Sequence, residues 1–268
     1  MKHSTGFISS KYIFIWMVIL TLIKSNFLHR AFKYFGWGMI TSELMSSFIH
    51  NTLVVIAAWF LIRFYNIEEN AGIGKWKTKY LSAYILPFLI VMVAGYSNIS
   101  KYVDLGLVTS TLFLCSCLAV GMAEEFMFRG FLQSTLLQKH SLKEAVLITS
   151  IAFGLIHLLN LKNSLEAWAD IINQVFIAIS IGVIFSALVL KTGNLWLAGL
   201  LHGGINFVFS VNKWWRFKMN IIEDAMSDQD NVISYIITYG LFLLLFIIGW
   251  FMVNRLPEKI FPLEPENK

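Results

Sequence analysis

Apolar residues along this chain come in long blocks separated by short polar connections, and that spacing dictates the architecture. A hydrocarbon core ~30 Å thick takes about 20 apolar residues per helix. Eight stretches read as spans on that measure: Tyr12 to Leu28, Met45 to Phe64, Tyr80 to Tyr96, Leu105 to Leu132, Glu144 to Leu161, Ile171 to Leu190, Leu195 to Val211, and Ile233 to Val253. Barrel strands would be shorter and would alternate with period two, so the expectation is an all-α, polytopic transmembrane helix bundle. The first stretch is the weakest, because Lys11 and Lys24 bracket too few residues for an ordinary crossing. It could lie in the interface; no small-x-small cleavage site follows it, so it is expected to be retained rather than removed as a signal peptide. Pro87 falls within the third stretch and predicts a kink there. The longest polar loop runs from Lys213 to Asn231, too short for a soluble domain, so residues 1–268 read as a single integral membrane domain.

Composition agrees: 57% of residues are hydrophobic and 14% charged, with a mean hydropathy of +0.68. Of the 21 lysines and arginines, Arg129 lies inside a span; the eight-span arrangement puts twelve on one side. The other eight are Lys24, Arg30, Lys33, Lys101, Lys162, Lys213, Arg216 and Lys218. Positive charge favours the cytoplasmic side, which places both termini there, and the net charge of +5 suits contact with anionic lipid headgroups. The basic residues are scattered and no nucleic-acid-binding motif occurs, so membrane lipid is the expected partner and nucleic acid is not. Cys115 and Cys117, the only cysteines, point to different faces of one helix and cannot form an unstrained disulfide; they are expected as reduced, buried thiols.

The fourth block breaks the apolar rule. Glu124, Glu125 and Arg129 interrupt it, and an ionised side chain at bilayer depth costs about 2.5–3.5 kcal/mol even on the lenient insertion scale. They must face a protein interior or a wet cavity. Four residues apart, Glu125 and Arg129 share a helix face, while Glu124 projects ~100° away. Glu125 can pair with Arg129 in cis, leaving Glu124 as the candidate general base. The next block places Phe153 one turn before His157, near the end of a span. The seventh places His202 one turn before Asn206, with Gly199, Gly203 and Gly204 interleaved. Such small residues let membrane helices approach closely and could bring the histidine helix to the glutamate helix. Glu124, His157 and His202 make a water-activating set. They also match the ligand types of a catalytic Zn2+ site, or that of another divalent metal, with an open position. Asn206 can donate a hydrogen bond to a developing oxyanion.

At these residues the sequence resembles the CAAX-protease and bacteriocin-processing (Abi) group of intramembrane endopeptidases, which includes the type II prenyl-protein endopeptidases. The group's E-E-x-x-x-R appears as Glu124, Glu125 and Arg129, its F-x-x-x-H as Phe153 and His157, and its H-x-x-x-N as His202 and Asn206. The motif-bearing core spans about 105–211. The resemblance implies that Glu124 and His157 activate the attacking water and that Glu125 with Arg129 shapes the site. His202 and Asn206 would stabilise the oxyanion or help to hold a metal. It implies a metalloprotease-like hydrolase acting on a membrane-associated peptide or lipidated protein, with Cys115 and Cys117 as spectators. The richness in Lys, Asn and Ile suggests a bacterial plasma membrane.

Two other classes compete with the endopeptidase. A non-enzymatic bacteriocin immunity or membrane-binding protein would use the same polar residues only to hold helices together. A proton-coupled transporter would use them as a proton relay, but the chain carries no inverted repeat and no pair of broken spans. Trp196, Trp214, Trp215 and Tyr80 fall near span ends and fit an interfacial aromatic belt.

Overall fold

The computed structural model describes residues 26–74, 77–160, 165–219 and 228–257. Among these residues the architecture is all helical: seven helices are long and apolar enough to cross a membrane, at Met39–Phe64, Lys79–Ser97, Leu107–Leu136, Leu142–Leu159, Ile171–Thr192, Leu195–Lys218 and Ile237–Asn254. They correspond to seven of the eight expected spans. Residues 12–25 of the first expected span lie outside the described residues, and its last three open α1 (Asn26–Tyr34), a short helix packed on α2 (Met39–Phe64).

From α2 the chain passes through a four-residue helix, α3 (Glu68–Ala71), and a 3-10 stretch (Thr78–Tyr84) into α4 (Ile85–Ser97). The predicted kink at Pro87 is not a break within an α-helix. Pro87 is the third residue of α4, in its first turn, where a missing backbone N–H goes unnoticed. The irregularity falls just before it, as a change from 3-10 to α geometry. Next come α5 (Ile99–Leu105) and α6 (Leu107–Glu125), which runs on into a π-helical turn (Phe126–Gln133) and a last short turn, α7 (Ser134–Leu136). Ser141 and Glu144 form a reciprocal capping box, satisfying two end N–H groups, so α8 (Leu142–Ile156) starts two residues before the expected boundary. A 3-10 turn (His157–Asn160), α9 (Leu165–Thr192), α10 (Leu195–Lys218) and α11 (Asp228–Asn254) complete the bundle.

The expected loop at Lys213 is helical as far as Lys218. Tertiary hydrogen bonds carry α10 past the apolar stretch. The Trp215 indole N–H donates to Asp104 at 2.8 Å, and Lys218 Nζ donates to the carbonyls of Asp104 and Leu105, each at 2.8 Å, satisfying carbonyls at the C-terminal end of α5. At the opposite end of the bundle, Thr192-Gly193-Asn194 turns α9 into α10. Gly193 takes a left-handed φ of 64°, a conformation that favours glycine, and the Asn194 side chain caps the Leu197 N–H at 2.9 Å. The Tyr84 hydroxyl donates to the Asn194 carbonyl at 3.1 Å, and the Lys77 N–H to the Thr192 carbonyl. The segment before α4 is thereby tied to this turn.

The largest apolar core gathers α2, the π turn, α8, α9 and α10 around Ile62, Phe126, Phe128, Phe131, Phe153, Phe185 and Leu195. α9 is the most enclosed span and the stretch containing α4 the most exposed. A mostly unburied apolar helix is what lipid solvates, so α4 is read as a peripheral, lipid-facing element.

Candidate active site

The histidine helix meets the glutamate helix because glycines on both leave room for close approach at the crossing. A Cβ added to Gly203 would meet the Leu118 Cα at 2.5 Å and the Cys117 carbonyl at 2.9 Å; one on Gly199 would meet the Met122 Cα at 3.1 Å. On the other side, a Cβ on Gly121 would run into the Gly203 backbone. The expectation that Gly199 and Gly203 permit close approach is met, and Gly121, not singled out from sequence, completes the seam. Gly204 instead faces Val91 of α4.

Close approach lets the α10 imidazole stand between the two α6 carboxylates. His202 Nδ1 lies 3.0 Å from Glu125 Oε1, and its Nε2 lies 3.4 Å from Glu124 Oε2. Glu125 Oε1 also accepts from Arg129 Nη1 at 3.0 Å, the i,i+4 pair read from sequence. Glu125 and Arg129 are both fully buried, whereas the Glu124 side chain keeps 20% exposure. The inner carboxylate therefore holds His202 and Arg129 together, and the outer one is left partly exposed. Glu125 thus has a second task that helical spacing did not reveal: it fixes the imidazole through one nitrogen and turns the other towards Glu124.

Aromatic rings form the walls. The Arg129 guanidinium sits 4.4 Å from the Phe153 ring centroid and 5.9 Å from that of Phe185, a cation–π contact that helps to keep the buried cation in place. Phe153 also meets His157 and His202 edge-on, with centroids 5.4 and 5.7 Å apart, and Phe185 stacks on His202 at 5.3 Å. Phe153 is therefore the common neighbour of Arg129, His157 and His202. Phe185 was missed at the sequence level, where one phenylalanine in an apolar helix carries no distinguishing signal.

The π turn begins immediately after Glu125. Phe126, Met127, Phe128, Arg129 and Phe131 are all buried, so the wider turn sends side chains into packing all around its axis. A Cβ on Gly130 would meet Ile62 and Leu195 side-chain atoms at 2.9 Å. Such turns recur at functional sites.

The remaining candidates stand further from the glutamates. His157, half-buried where α8 ends, reaches the cluster through Phe153, and Glu124 and His202 are its electrostatic neighbours. Asn206 lies one turn beyond His202 and, among the described residues, makes no hydrogen bond to the other five. Also among the described residues, no group of three or more His, Cys, Asp or Glu side chains is placed to hold a metal ion. Glu124 and His202 offer two donors, and the three-ligand set with His157 does not fit a metal in this arrangement. Cys115 and Cys117 are free thiols, but only Cys117 is buried as expected; Cys115 is half-buried.

Seven membrane-capable helices around a buried carboxylate–imidazole–guanidinium cluster define a polytopic membrane protein with a polar intramembrane site. Residues 106–208 match the family model for type II CAAX prenyl endopeptidases, Rce1-like. That match spans α6 to α10, includes all six candidate residues, and bears out the resemblance carried by the three motifs. It implies a CAAX protease, a hydrolase, and supports CAAX-type intramembrane endopeptidase activity in general. No curated protein and no solved structure matches the chain.

Proposed function

We propose that this protein is an intramembrane endopeptidase that hydrolyses a peptide bond of a membrane-associated peptide or lipidated protein, using water activated by Glu124. The observation that supports this most is the two-sided hold on His202: a buried carboxylate on Nδ1 and a partly exposed one facing Nε2. A structural histidine needs one partner; an imidazole set against a second, partly exposed carboxylate has the form of an acid–base device.

In the proposed reaction Glu124 takes a proton from water, and the hydroxide oxygen attacks the scissile carbonyl carbon. Asn206 and His202 stabilise the resulting oxyanion as donors. The C–N bond then breaks as the proton reaches the leaving amine, by way of Glu124 or His157. Glu125 and Arg129 touch no reacting atom; they hold His202 in orientation. The site lies among helices that exclude bulk water, which strengthens each of these interactions.

The test is cleavage of a fluorogenic peptide panel, part of it prenylated, by purified protein in nanodiscs. Glu124→Gln is expected to abolish cleavage while leaving thermal unfolding unchanged. A Glu124→Gln variant that cuts as well as the parent protein removes the general base and the proposal with it. A chelator arm asks whether a divalent metal assists the same hydrolysis, and the preferred peptide names the substrate class.

A further inference from the structure

A second group of polar side chains lies around Arg129. Arg129 Nε and Nη2, both amide atoms of Gln133, and the hydroxyls of Thr149, Ser150 and Ser186 are buried without a hydrogen-bond partner. All five residues are fully buried. Orphaned buried polar atoms are costly, and so many around one cation calls for an explanation.

Their placement supplies one. A Cβ at Gly182 would come within 3.2 Å of Arg129 Nη2 and 3.1 Å of the Ser150 Cβ, so Arg129, Ser150 and Gly182 meet at one level of the bundle. From that level Gln133 is one turn further along the π turn, and Ser186 one turn further along α9. Both steps lead towards the end where α7 stops, α8 begins and α9 turns at Thr192. The same end holds buried Thr192 and Asn194, the latter with its own unpartnered Nδ2.

We propose that these side chains line an internal hydration path, from the Thr192 end of the bundle to Arg129, which holds water against the guanidinium and delivers it towards the Glu125–His202 pair. Arg129 and Asn194 Nδ2 supply donors, Gln133 Oε1 an acceptor, and the three hydroxyls can do either, so bridging waters find partners of both kinds. The supply role rests on the endopeptidase reading: each peptide bond hydrolysed consumes one water molecule, which the hydrocarbon around the spans does not provide. Gln133, Ser150 and Ser186 are then positioning residues for water and for Arg129, not catalytic ones.

The test uses full-length Ser186→Cys protein in nanodiscs, with Cys115→Ala to simplify the spectrum, and follows S–H to S–D exchange in D2O by infrared spectroscopy. Native Cys117 is the dry reference, because it packs in the apolar cluster of Leu44, Leu105, Phe113 and Val211. The Ser186→Cys thiol is expected to exchange much faster than Cys117, and adding Gln133→Met is expected to slow it. In the Ser186 background, Gln133→Met should lower kcat by about an order of magnitude with KM unchanged. A Ser186→Cys thiol that exchanges no faster than Cys117 overturns the path, whatever the activity. Fast exchange without any peptide cleavage upholds the path and counts against the endopeptidase instead.

Discussion

The seam between α6 and α10 and the seam between α9 and α11 join long apolar helices with different shares of glycine and ring. At the first, Gly121, Gly199 and Gly203 bring backbone against backbone, and the polar site lies beside the contact. At the second, Phe176 lies against Tyr239 and Phe242 with centroids 6.0 and 6.4 Å apart, while further along a Cβ on Gly249 would meet the Val183 and Ile184 side chains and the Ile184 backbone N–H at 3.0–3.1 Å. Lipid tails are as apolar as leucine, so neither seam is driven by burial from water; close packing does the work in both. The ring-filled seam can adjust by rotating side chains. The glycine seam cannot, because any added atom meets backbone. Three glycines gather where ångström-level placement of His202 matters, and rings share the contact where helices need only stay together.

Substitutions along the two seams should separate them, and the largest effect is expected at the ion pair. Arg129→Met leaves Glu125 buried beside His202 without its cation, and loss of one partner from a buried pair costs about 3–5 kcal/mol. Thermal unfolding in detergent should show it, and Arg129→Lys should not restore full stability, because a lysine lacks the planar fork. Gly203→Ala comes next: its methyl forces α6 and α10 apart, and a displacement of ~1 Å at a catalytic site costs on the order of 10²-fold in rate. The readout is kcat/KM for peptide cleavage, with the protein still folded. Phe185→Leu removes the ring stacked on His202 and should cost about 0.5–1.5 kcal/mol, seen as a several-fold loss of kcat. Tyr239→Leu at the ring-filled seam should cost no more than about 1 kcal/mol of stability and leave cleavage within about twofold. If Tyr239→Leu harmed activity as much as Gly203→Ala, the distinction between the seams would collapse.

Hydropathy made the spans legible, since a block of apolar residues has few other fates. Seven are found close to the expected places, and the errors fall where tertiary contacts extend a helix, as the Asp104–Lys218 contact does for α10. The Glu125–Arg129 pair was legible because it is local, four residues apart on one chain segment. The carboxylate clamp on His202 was not: it joins residues 77 positions apart and depends on Gly121, which looks like any other small residue in an apolar run. The π turn left no mark either, because its widened register answers to packing against Ile62 and Leu195 rather than to a residue type. Phe153 was legible as a motif member but not as the ring beneath Arg129.

That π turn also makes the site unusual in its tolerance of length. A π turn is an α-helix holding one residue too many, so the stretch from Phe126 to Gln133 amounts to a fixed insertion. Deleting one residue there would let the stretch relax to ordinary winding while the helix beyond it kept its bearing, so the loss would be felt inside the turn, at Arg129 and the rings packed around it. Deleting a residue from the regular winding of α6 would instead swing everything downstream by ~100°. A codon lost from the π turn is therefore the mild case, and one lost from α6 a frame error in three dimensions, with the reading frame of the gene intact.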